Sequence, residues 1–315
     1  MIKTSLIKQC QSVSEILGTI KVLEIELCTD SRTYTPGQIF VALRGDKFDG
    51  FKFVPTLLKK TADIFVVNKE NAEDALGLYN ENKDLAFIIV SDTLFFLQEL
   101  ARLHALEWRK SNTQRKVIAI SGSNGKTTHK EMLFHYLNGV RPGKIIKTEK
   151  NNNNHLGVPI TLFQITNETE FAIVELGSNH PGEIKTLCDI ALPDAGLVTN
   201  IGSTHLEFFG TEEKVFLEEG YLYWSIKDRT SGEGLFLQNT DDKFLRTLPK
   251  TNGTITYGQQ GEANFVFSSD SVQINFKNNT YVLKNQSIFF GLFSVRIFSK
   301  SYRFVCSVLF IILIN

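Results

Sequence analysis

An eight-residue segment, Ser121–Thr128, contains the residue types that bind phosphate. It reads Ser-Gly-Ser-Asn-Gly-Lys-Thr-Thr and lies between an apolar run and a segment predicted to be helical. Gly122 and Gly125 let the backbone curl so that its N–H groups converge on phosphate oxygens, and the amino terminus of the following helix adds partial positive charge. Lys126 is expected to neutralise the terminal phosphates of a nucleotide, and the Thr127 hydroxyl to ligate Mg²⁺.

This phosphate loop departs from the strict Walker pattern, which has a glycine where this chain has Ile120. The alternative is therefore a glycine-rich turn without a ligand. Its position directly after an apolar strand and directly before a helix favours the phosphate site. The residues then expected to contact nucleotide are Gly122, Ser123, Asn124, Gly125, Lys126, Thr127 and Thr128. The Thr128 hydroxyl has an alternative role in packing or helix capping.

Two later strand ends supply side chains that bind metals. Glu175 closes the apolar run Phe171–Val174, and His205 lies in the loop that follows Leu197–Thr199. Carboxylate oxygens suit Mg²⁺, whose coordination shell is completed by water and phosphate. The alternatives are a solvated carboxylate for Glu175 and a hydrogen bond to backbone for His205.

The apolar runs predict the elements that position these side chains. Between residues 116 and 224 strands alternate with helices, which indicates an α/β fold with a mostly parallel sheet and ligands at the carboxyl ends of its strands. The last helix of this series is predicted from about Thr211 to Trp224. After Gly234, short alternating strands from Thr254 onward predict an antiparallel edge.

The region before residue 116 reads as a smaller α/β unit that ends in a helix capped by Asp92. We therefore predict a first domain over residues 1–110, a central domain over 111–286, and an atypical apolar tail over 287–315.

Composition narrows the class of protein. The 315 residues include 34 Lys+Arg and 34 Asp+Glu, and 42% are hydrophobic, so the chain is neither a disordered tail nor a polycation for nucleic acid. The four cysteines form no disulfide framework and no zinc motif, which fits a reducing cytoplasmic setting. The amino terminus has no signal-peptide pattern, and the longest apolar run falls short of the ~20 residues that cross a bilayer, so stable membrane insertion is not expected.

Several segments together resemble the Mur ligase family, the ATP-dependent amide-forming enzymes of peptidoglycan synthesis. The likeness rests on Asp30–Gly50, with its Asp-Ser-Arg and Gln-Ile-Phe-Val-Ala-Leu-Arg-Gly-Asp, on the Asn-rich Asn151–Leu162, on Glu175–Ile184, and on Asn200–Gly210 with its His-Leu-Glu. The segments are most similar to the member that adds D-alanyl-D-alanine to UDP-N-acetylmuramoyl-tripeptide. Alternatives are the member that adds the third stem residue, a folylpolyglutamate synthase, or a non-catalytic nucleotide-binding remnant.

The resemblance implies a fold and a reaction. A small uridine-nucleotide-binding α/β domain would precede a central P-loop ATPase-like domain, with ATP and Mg²⁺ as cofactors. ATP would phosphorylate the tripeptide carboxylate, and the amine of D-alanyl-D-alanine would attack the resulting acyl phosphate. The implied roles are Lys126 and Thr127 on the phosphates and first Mg²⁺, Glu175 on that metal, His205 on a second metal, Asn153 and Asn154 toward muramoyl substrate or phosphates, and Ser31 and Arg32 toward uridine nucleotide. A monomer is expected.

Two of the chain's departures from the family bear on its function. Glu219 stands where members carry a carbamylated metal-binding lysine, and its shorter side chain would need water bridges or a shifted helix to reach the second Mg²⁺. From Ser287 onward the Phe- and Ile-rich tail is not expected to match the family, and the family's third, Rossmann-like domain is expected to be missing. We expect a frameshifted or truncated reading frame there, with a lineage-specific hydrophobic strand or membrane-touching tail as the alternative. Without the third domain the chain is expected to bind nucleotide weakly and ligate poorly.

Overall fold

The computed structural model describes residues 1–45, 48–58, 64–259, 263–267, 271–276 and 279–284. The predicted tail, 287–315, lies outside them. Contacts divide the chain into two compact units, one made of Met1–Thr113 with Pro159–Asn167 and the other of Gln114–Val158 and the residues from Glu168 onward. No helix within the described ranges is both long enough and apolar enough to cross a membrane.

The first unit is built on a twisted α/β sheet. The strands of the unit are β1 (Ile2–Lys3), β2 (Val13–Leu17), β3 (Glu24–Cys28), β4 (Gln38–Val41), β5 (Arg44–Gly45), β6 (Phe48–Asp49), β7 (Ile64–Asn68) and β8 (Ala86–Val90), and its helices are α1 (Val54–Leu58), α2 (Ala72–Glu81) and α3 (Thr93–Lys110). Strands β5 and β6 form a separate two-stranded sheet, and the other six strands form the main sheet. The sheet order is β1-β3-β4-β7-β8-β2, and the inner four strands run parallel. Strands β7 and β8 are buried along their whole length, because sheets of parallel strands are covered on both faces.

Helix α3 begins where the sequence predicts. The Asp92 carboxylate accepts a hydrogen bond from the Phe95 N–H at 2.6 Å and so caps the first turn. One face of the helix, which includes Leu97, Leu100 and Ala101, is fully buried in the first unit.

One segment departs from the contiguous central domain predicted over residues 111–286. Pro159–Asn167 belongs to the first unit, where the His104 ring nitrogen Nε2 lies 3.1 Å from the Ile165 carbonyl oxygen. The His104 ring also packs 6.2 Å from that of Phe163. The reason is burial, because Leu162 and Ile165 are fully buried in this arrangement.

The second unit holds a larger sheet. Its strands are β9 (Lys116–Ser121), β10 (Ile145–Lys147), β11 (Phe171–Glu175), β12 (Ala195–Val198), β13 (Leu235–Asn239), β14 (Thr254–Gly258), β15 (Phe265–Phe267), β16 (Ser271–Phe276) and β17 (Asn279–Lys284). The described order is β10-β11-β9-β12-β13-β14-β15-β16-β17, parallel from β10 to β15 and antiparallel from there to β17. The predicted α/β class with a mostly parallel sheet is confirmed.

The antiparallel edge begins later than the sequence predicts. β14 pairs in parallel with both β13 and β15, so only the strands after Phe267 form the antiparallel edge. Alternating polar and apolar residues indicate that one face of a strand is exposed. They do not indicate whether the neighbouring strand runs parallel or antiparallel, which explains the error.

The remaining helices that the structure describes follow β9 along the chain. They are α4 (Lys126–Val140), α5 (Gly157–Phe163), α6 (Glu183–Ala191), α7 (Leu206–Phe209), α8 (Glu212–Glu219) and α9 (Tyr221–Arg229). The single helix predicted over Thr211–Trp224 is wrong, since Gly220 separates α8 from α9. Glycine has a low helix propensity, and a Cβ at Gly220 would lie 2.6 Å from the Phe216 carbonyl oxygen.

The strand order decides where a site can form. Strand β9 lies between β11 and β12, and all three run parallel. The loops that follow them therefore meet at one edge of the sheet, beside the point where the chain reverses its direction of strand addition. Ligands of doubly wound sheets bind at such a point.

Candidate active site

The phosphate loop leads from β9 directly into α4. Gly122 has a φ of 116° and Gly125 a φ of 82°, both in the left-handed region that favours glycine. A Cβ at Gly122 would also lie 2.3 Å from the Thr199 hydroxyl oxygen. Gly125 is the N-cap of α4, so the amino terminus of a helix of about four turns faces the loop. These are the geometric requirements of an anion site at a helix amino terminus.

The loop after β12 braces the phosphate loop. Ser123 donates its N–H to the Asn200 carbonyl oxygen at 2.9 Å, and its hydroxyl accepts from the Gly202 N–H at 2.8 Å. The Asn200 side-chain amide donates to the Asn124 carbonyl oxygen at 2.9 Å. These bonds join the phosphate loop to the loop after β12 and hold it in its curled conformation.

Lys126 folds over its own loop. Its ammonium group donates to the Gly122 carbonyl oxygen at 2.5 Å and lies 3.4 Å from that of Ser123. The side chain is half-buried, whereas Thr127 and Thr128 are exposed in the first turn of α4. The positive charge therefore already lies at the mouth of the loop, where an incoming phosphate would displace the carbonyl contacts.

Glu175, at the end of β11, lies beside the phosphate loop. Its Oε1 accepts hydrogen bonds from the Thr127 hydroxyl at 3.1 Å and from the Asn153 side-chain amide at 3.0 Å. The residue is 2% exposed, and its buried Oε2 forms an ion pair with the Lys130 ammonium group at 3.3 Å. A hydroxyl oxygen beside a carboxylate is a donor set that suits Mg²⁺, which takes one or two protein ligands and completes its shell with phosphate and water.

Lys130 joins this cluster and is a residue that sequence reasoning missed. Its ammonium group is fully buried, 3.3 Å from the Glu175 Oε2, and it donates to the Lys150 carbonyl oxygen at 3.2 Å. Helical spacing could have found it, since Lys130 follows Lys126 by four residues and lies on the same face of α4.

Glu219, the last residue of α8, is bonded to the start of the phosphate loop. The residue is 4% exposed, and its Oε2 accepts a hydrogen bond from the Gly122 N–H at 2.7 Å. Its carbonyl oxygen accepts from the Ser121 hydroxyl at 3.0 Å. Burial raises the pKa of the Glu219 carboxyl, although the Lys126 charge and the Gly122 N–H oppose that rise.

His205 is exposed and serves as the N-cap of α7, with a φ of 53°. Over the part of the chain that the structure describes, no three His, Cys, Asp or Glu side chains are grouped to hold a metal ion. The expectation that His205 and Glu219 share a second metal therefore does not fit, because Glu219 is already bonded beneath the phosphate loop.

The two asparagines expected to face substrate separate into different roles. Asn153 lies over the loop after β11, since a Cβ at Gly177 would be 2.7 Å from its Cγ, and it reaches Glu175. Asn154 accepts hydrogen bonds from the N–H groups of Leu156 and Gly157 at 3.1 and 2.9 Å. Its side-chain oxygen is thus engaged in capping α5.

Ser31 and Arg32 lie in the first unit, in the turn after β3. The Arg32 guanidinium is largely exposed, and its Nη2 lies 2.6 Å from the Asp30 Oδ2. Hydrogen bonds from Arg32 lower the pKa of the Asp30 carboxyl to about 2. The turn is at the carboxyl end of the parallel strands of its own sheet, the edge where α/β units bind ligands.

The sequence of the second unit matches a known family. Residues 120–297, more than half of the chain, match the family model described as the Mur ligase middle domain. The chain belongs to the Mur ligase family. Residues 26–105 of this Mur ligase also match a family model described as Mur ligase family, catalytic domain. The middle-domain match reaches residue 297, ten residues beyond Ser287, where the likeness was expected to have ended.

Two curated relatives are ligases of one kind. The UDP-N-acetylmuramoyl-tripeptide--D-alanyl-D-alanine ligase of Synechocystis sp. is 34% identical over 263 residues, which are 82% of this chain and 54% of that protein. The Escherichia coli ligase of the same name is 35% identical over 214 residues, 68% of this chain and 43% of that protein. This Mur ligase thus spans about half the length of the curated relatives it matches.

Solved structures agree in fold. A crystal structure of MurF from Acinetobacter baumannii has a TM-score of 0.72 and 25% identity, covering 90% of this chain and 60% of that one. MurF ligase from Thermotoga maritima in complex with ADP has a TM-score of 0.65 and 26% identity, covering 84% of this chain and 59% of that one.

Proposed function

We propose that this Mur ligase uses ATP to join D-alanyl-D-alanine to UDP-N-acetylmuramoyl-tripeptide in peptidoglycan precursor synthesis. The names of its curated relatives support the substrates, and the ADP complex of a related ligase supports the nucleotide. In this chain the observation that carries the proposal is the braced phosphate loop with Lys126 at its mouth and Glu175 beside Thr127.

The proposed reaction has two steps. The tripeptide carboxylate attacks the terminal phosphorus of ATP, and ADP leaves as the acyl phosphate forms. The D-alanyl-D-alanine amine then attacks the activated carbonyl, the C–O bond to phosphate breaks, and the amine loses a proton as the amide forms. Both steps need charge stabilisation and alignment more than they need a covalent enzyme species.

The residues of the site are suited to that task. The amides of the phosphate loop and the Lys126 ammonium would bind phosphate oxygens and stabilise the charge that develops on them. A bound Mg²⁺, held by Thr127 and Glu175, would neutralise charge on the phosphates. Asn153 keeps Glu175 in position through its hydrogen bond.

We also propose where the uridine nucleotide binds, where in the cell the protein acts and in which oligomeric state. Ser31 and Arg32 would bind the uridine nucleotide through the exposed turn after β3. The protein would act as a cytoplasmic monomer without a nucleic-acid partner. Its central domain would extend to residue 286.

A second candidate is a nucleotide-binding protein without turnover. It is favoured by Glu219, which replaces the expected second metal ligand and is bonded to Gly122 instead. Catalysis and binding differ in one observable, the release of phosphate.

The test uses the full 315-residue protein with Mg-ATP, UDP-N-acetylmuramoyl-tripeptide and D-alanyl-D-alanine. Phosphate release that requires the dipeptide, with the pentapeptide product seen by mass spectrometry, supports the ligase. Bound nucleotide without release supports the second candidate, and absence of nucleotide binding overturns both. Lys126→Ala should abolish nucleotide binding, whereas Lys185→Ala, which removes an exposed lysine paired with Asp189 on α6, should not. Two further reactions test the other amide ligases. UDP-N-acetylmuramoyl-dipeptide with diaminopimelate tests the member that adds the third stem residue, and a folate with glutamate tests folylpolyglutamate synthase.

A further inference from the structure

We propose that Glu219 is a positioning residue that fixes the start of the phosphate loop, in place of any metal ligation. The inference rests on the proposed function only in taking the loop as a nucleotide site. The bond between the Glu219 Oε2 and the Gly122 N–H spans 2.7 Å and joins residues 97 positions apart. A hydrogen bond to a carboxylate is shorter and stronger than one between neutral groups.

The peptide of Gly122 is held from both sides. Gly122 has a φ of 116°, and Thr199, in the segment after β12, packs so closely against it that a side chain would collide. Glu219 accepts the hydrogen bond from the Gly122 N–H, and its carbonyl oxygen accepts another from the Ser121 hydroxyl at 3.0 Å. Gly122 is the first residue after β9, so the direction of this peptide sets where the following amides point.

A carboxylate beneath an anion-binding loop would repel phosphate if its charge were uncompensated. Glu219 is compensated by the Gly122 N–H and by the positive charge of Lys126, which acts on it through space. The same contacts leave its Oε2 engaged and buried, away from solvent and from any described group of metal-binding side chains. The observations therefore favour a bond to backbone over a bond to metal.

The neighbouring Glu218 provides a matched control. It is also buried, but it accepts hydrogen bonds from the Ser178 hydroxyl and from the N–H groups of Gly182 and Ile184, at 3.0, 2.7 and 2.7 Å. The end of α8 thus places the Glu219 carboxylate against the phosphate loop and the Glu218 carboxylate against the start of α6 and the loop before it. Only the first should affect the conformation of Gly122.

The direct readout is the amide resonance of Gly122. Labelling with ¹³C-carbonyl serine and ¹⁵N-glycine selects the Ser-Gly peptides, of which the sequence has two, Ser121-Gly122 and Ser231-Gly232. The Gly232 N–H is bonded to the Lys227 carbonyl oxygen and serves as an internal reference. Glu219→Ala should shift the Gly122 proton upfield and leave Gly232 unchanged, and Glu218→Gln should move neither. An unchanged Gly122 resonance would overturn the proposal.

The second readout separates loop positioning from metal ligation. Affinity for ADP is measured with Mg²⁺ and in excess EDTA. We expect Glu219→Ala to weaken ADP binding about tenfold, and by the same factor with Mg²⁺ as in EDTA. The reason is that the lost hydrogen bond joins the carboxylate to the backbone and does not involve the metal. A loss confined to the Mg²⁺ condition would identify Glu219 as a metal ligand and overturn the proposal.

Two further results keep the test decisive. Glu219→Gln retains a carbonyl acceptor and the side-chain length, so it should keep affinity within about threefold and remain folded even if Glu219→Ala does not. A tenfold loss in Glu219→Gln with an unmoved Gly122 resonance would contradict the assignment. Nucleotide binding without ligation by the unaltered protein would overturn the proposed ligase and leave the role of Glu219 intact.

Discussion

The ammonium group of Lys130 lies 3.3 Å from the Glu175 Oε2, and the two side chains are 0% and 2% exposed. A charge pair this deep in the protein is costly to break, because the remaining partner is left charged and poorly solvated. Lys130 also bonds the Lys150 carbonyl oxygen, which ties helix α4 to the segment that carries Asn153. The position of the proposed metal-binding carboxylate thus depends on a lysine outside the loop motif.

Lys130→Met should therefore destabilise the protein strongly. We expect a loss of about 3–5 kcal/mol, since Glu175 would be buried without its counter-charge. Urea unfolding followed by circular dichroism measures it. Lys185→Met, which removes one partner of an exposed pair on α6, should cost no more than about 1 kcal/mol. Equal effects of the two substitutions would show that the buried pair has no special role.

Gly122→Ala should abolish nucleotide binding. The new Cβ would lie 2.3 Å from the Thr199 hydroxyl oxygen and 2.8 Å from its backbone nitrogen, so the loop must move. Gly143→Ala is the control, because Gly143 also has a left-handed φ, 73°, but a Cβ added there would meet no described heavy atom within 4 Å. Calorimetric titration with ADP should show normal affinity for the control, and normal affinity for both would remove the steric requirement.

Asn153→Ala and Asn154→Ala should have different consequences, one for metal-dependent binding and the other for stability. Asn154 caps α5, so its loss should lower the free energy of unfolding by about 1 kcal/mol and leave ADP affinity unchanged. Asn153 bonds Glu175, so its loss should raise the Mg²⁺ concentration needed for half-maximal nucleotide binding. Chemical unfolding and Mg²⁺ titrations in the presence of ADP distinguish the two, and identical profiles would contradict the division of roles.

The stability of the first unit should fall in mild acid because of His104. Burial lowers the pKa of this ring, whose Nε2 lies 3.1 Å from the Ile165 carbonyl oxygen. The unfolded chain, with an ordinary histidine pKa of about 6.5, then binds protons more readily than the folded one. The contribution of His104 to the free energy of unfolding is therefore complete above that pKa and is lost as the pH falls below it.

The measurement uses Trp224→Phe, which leaves Trp108, on the same helix as His104, to report unfolding by fluorescence. The free energy of unfolding, measured with urea between about pH 5.5 and 8, should depend less on pH in His104→Gln than in its parent. His135→Gln, at an exposed position on α4, should retain the dependence. A profile in His104→Gln as steep as that of its parent would contradict the prediction.

Some of the candidate site could be predicted from local sequence. Gly122 and Gly125 adopt the left-handed backbone that only glycine takes readily, and Lys126 begins the helix that follows. Glu175 closes a buried apolar strand, as its position after Phe171–Val174 predicts. These features are local because they depend on the φ, periodicity and hydrogen-bonding capacity of neighbouring residues.

The sequence by itself determined the alternation of strands and helices, the curl of the phosphate loop and the residue types around it. Only the tertiary structure decided that Glu219 binds the Gly122 amide, that Lys130 pairs with Glu175, and that Pro159–Asn167 packs with the first unit. Each of these contacts joins residues that are far apart in the chain, and which buried polar groups meet is set by strand order and packing. Because a buried charge must find a partner within a few ångströms, folding selects that partner, and no local pattern records it.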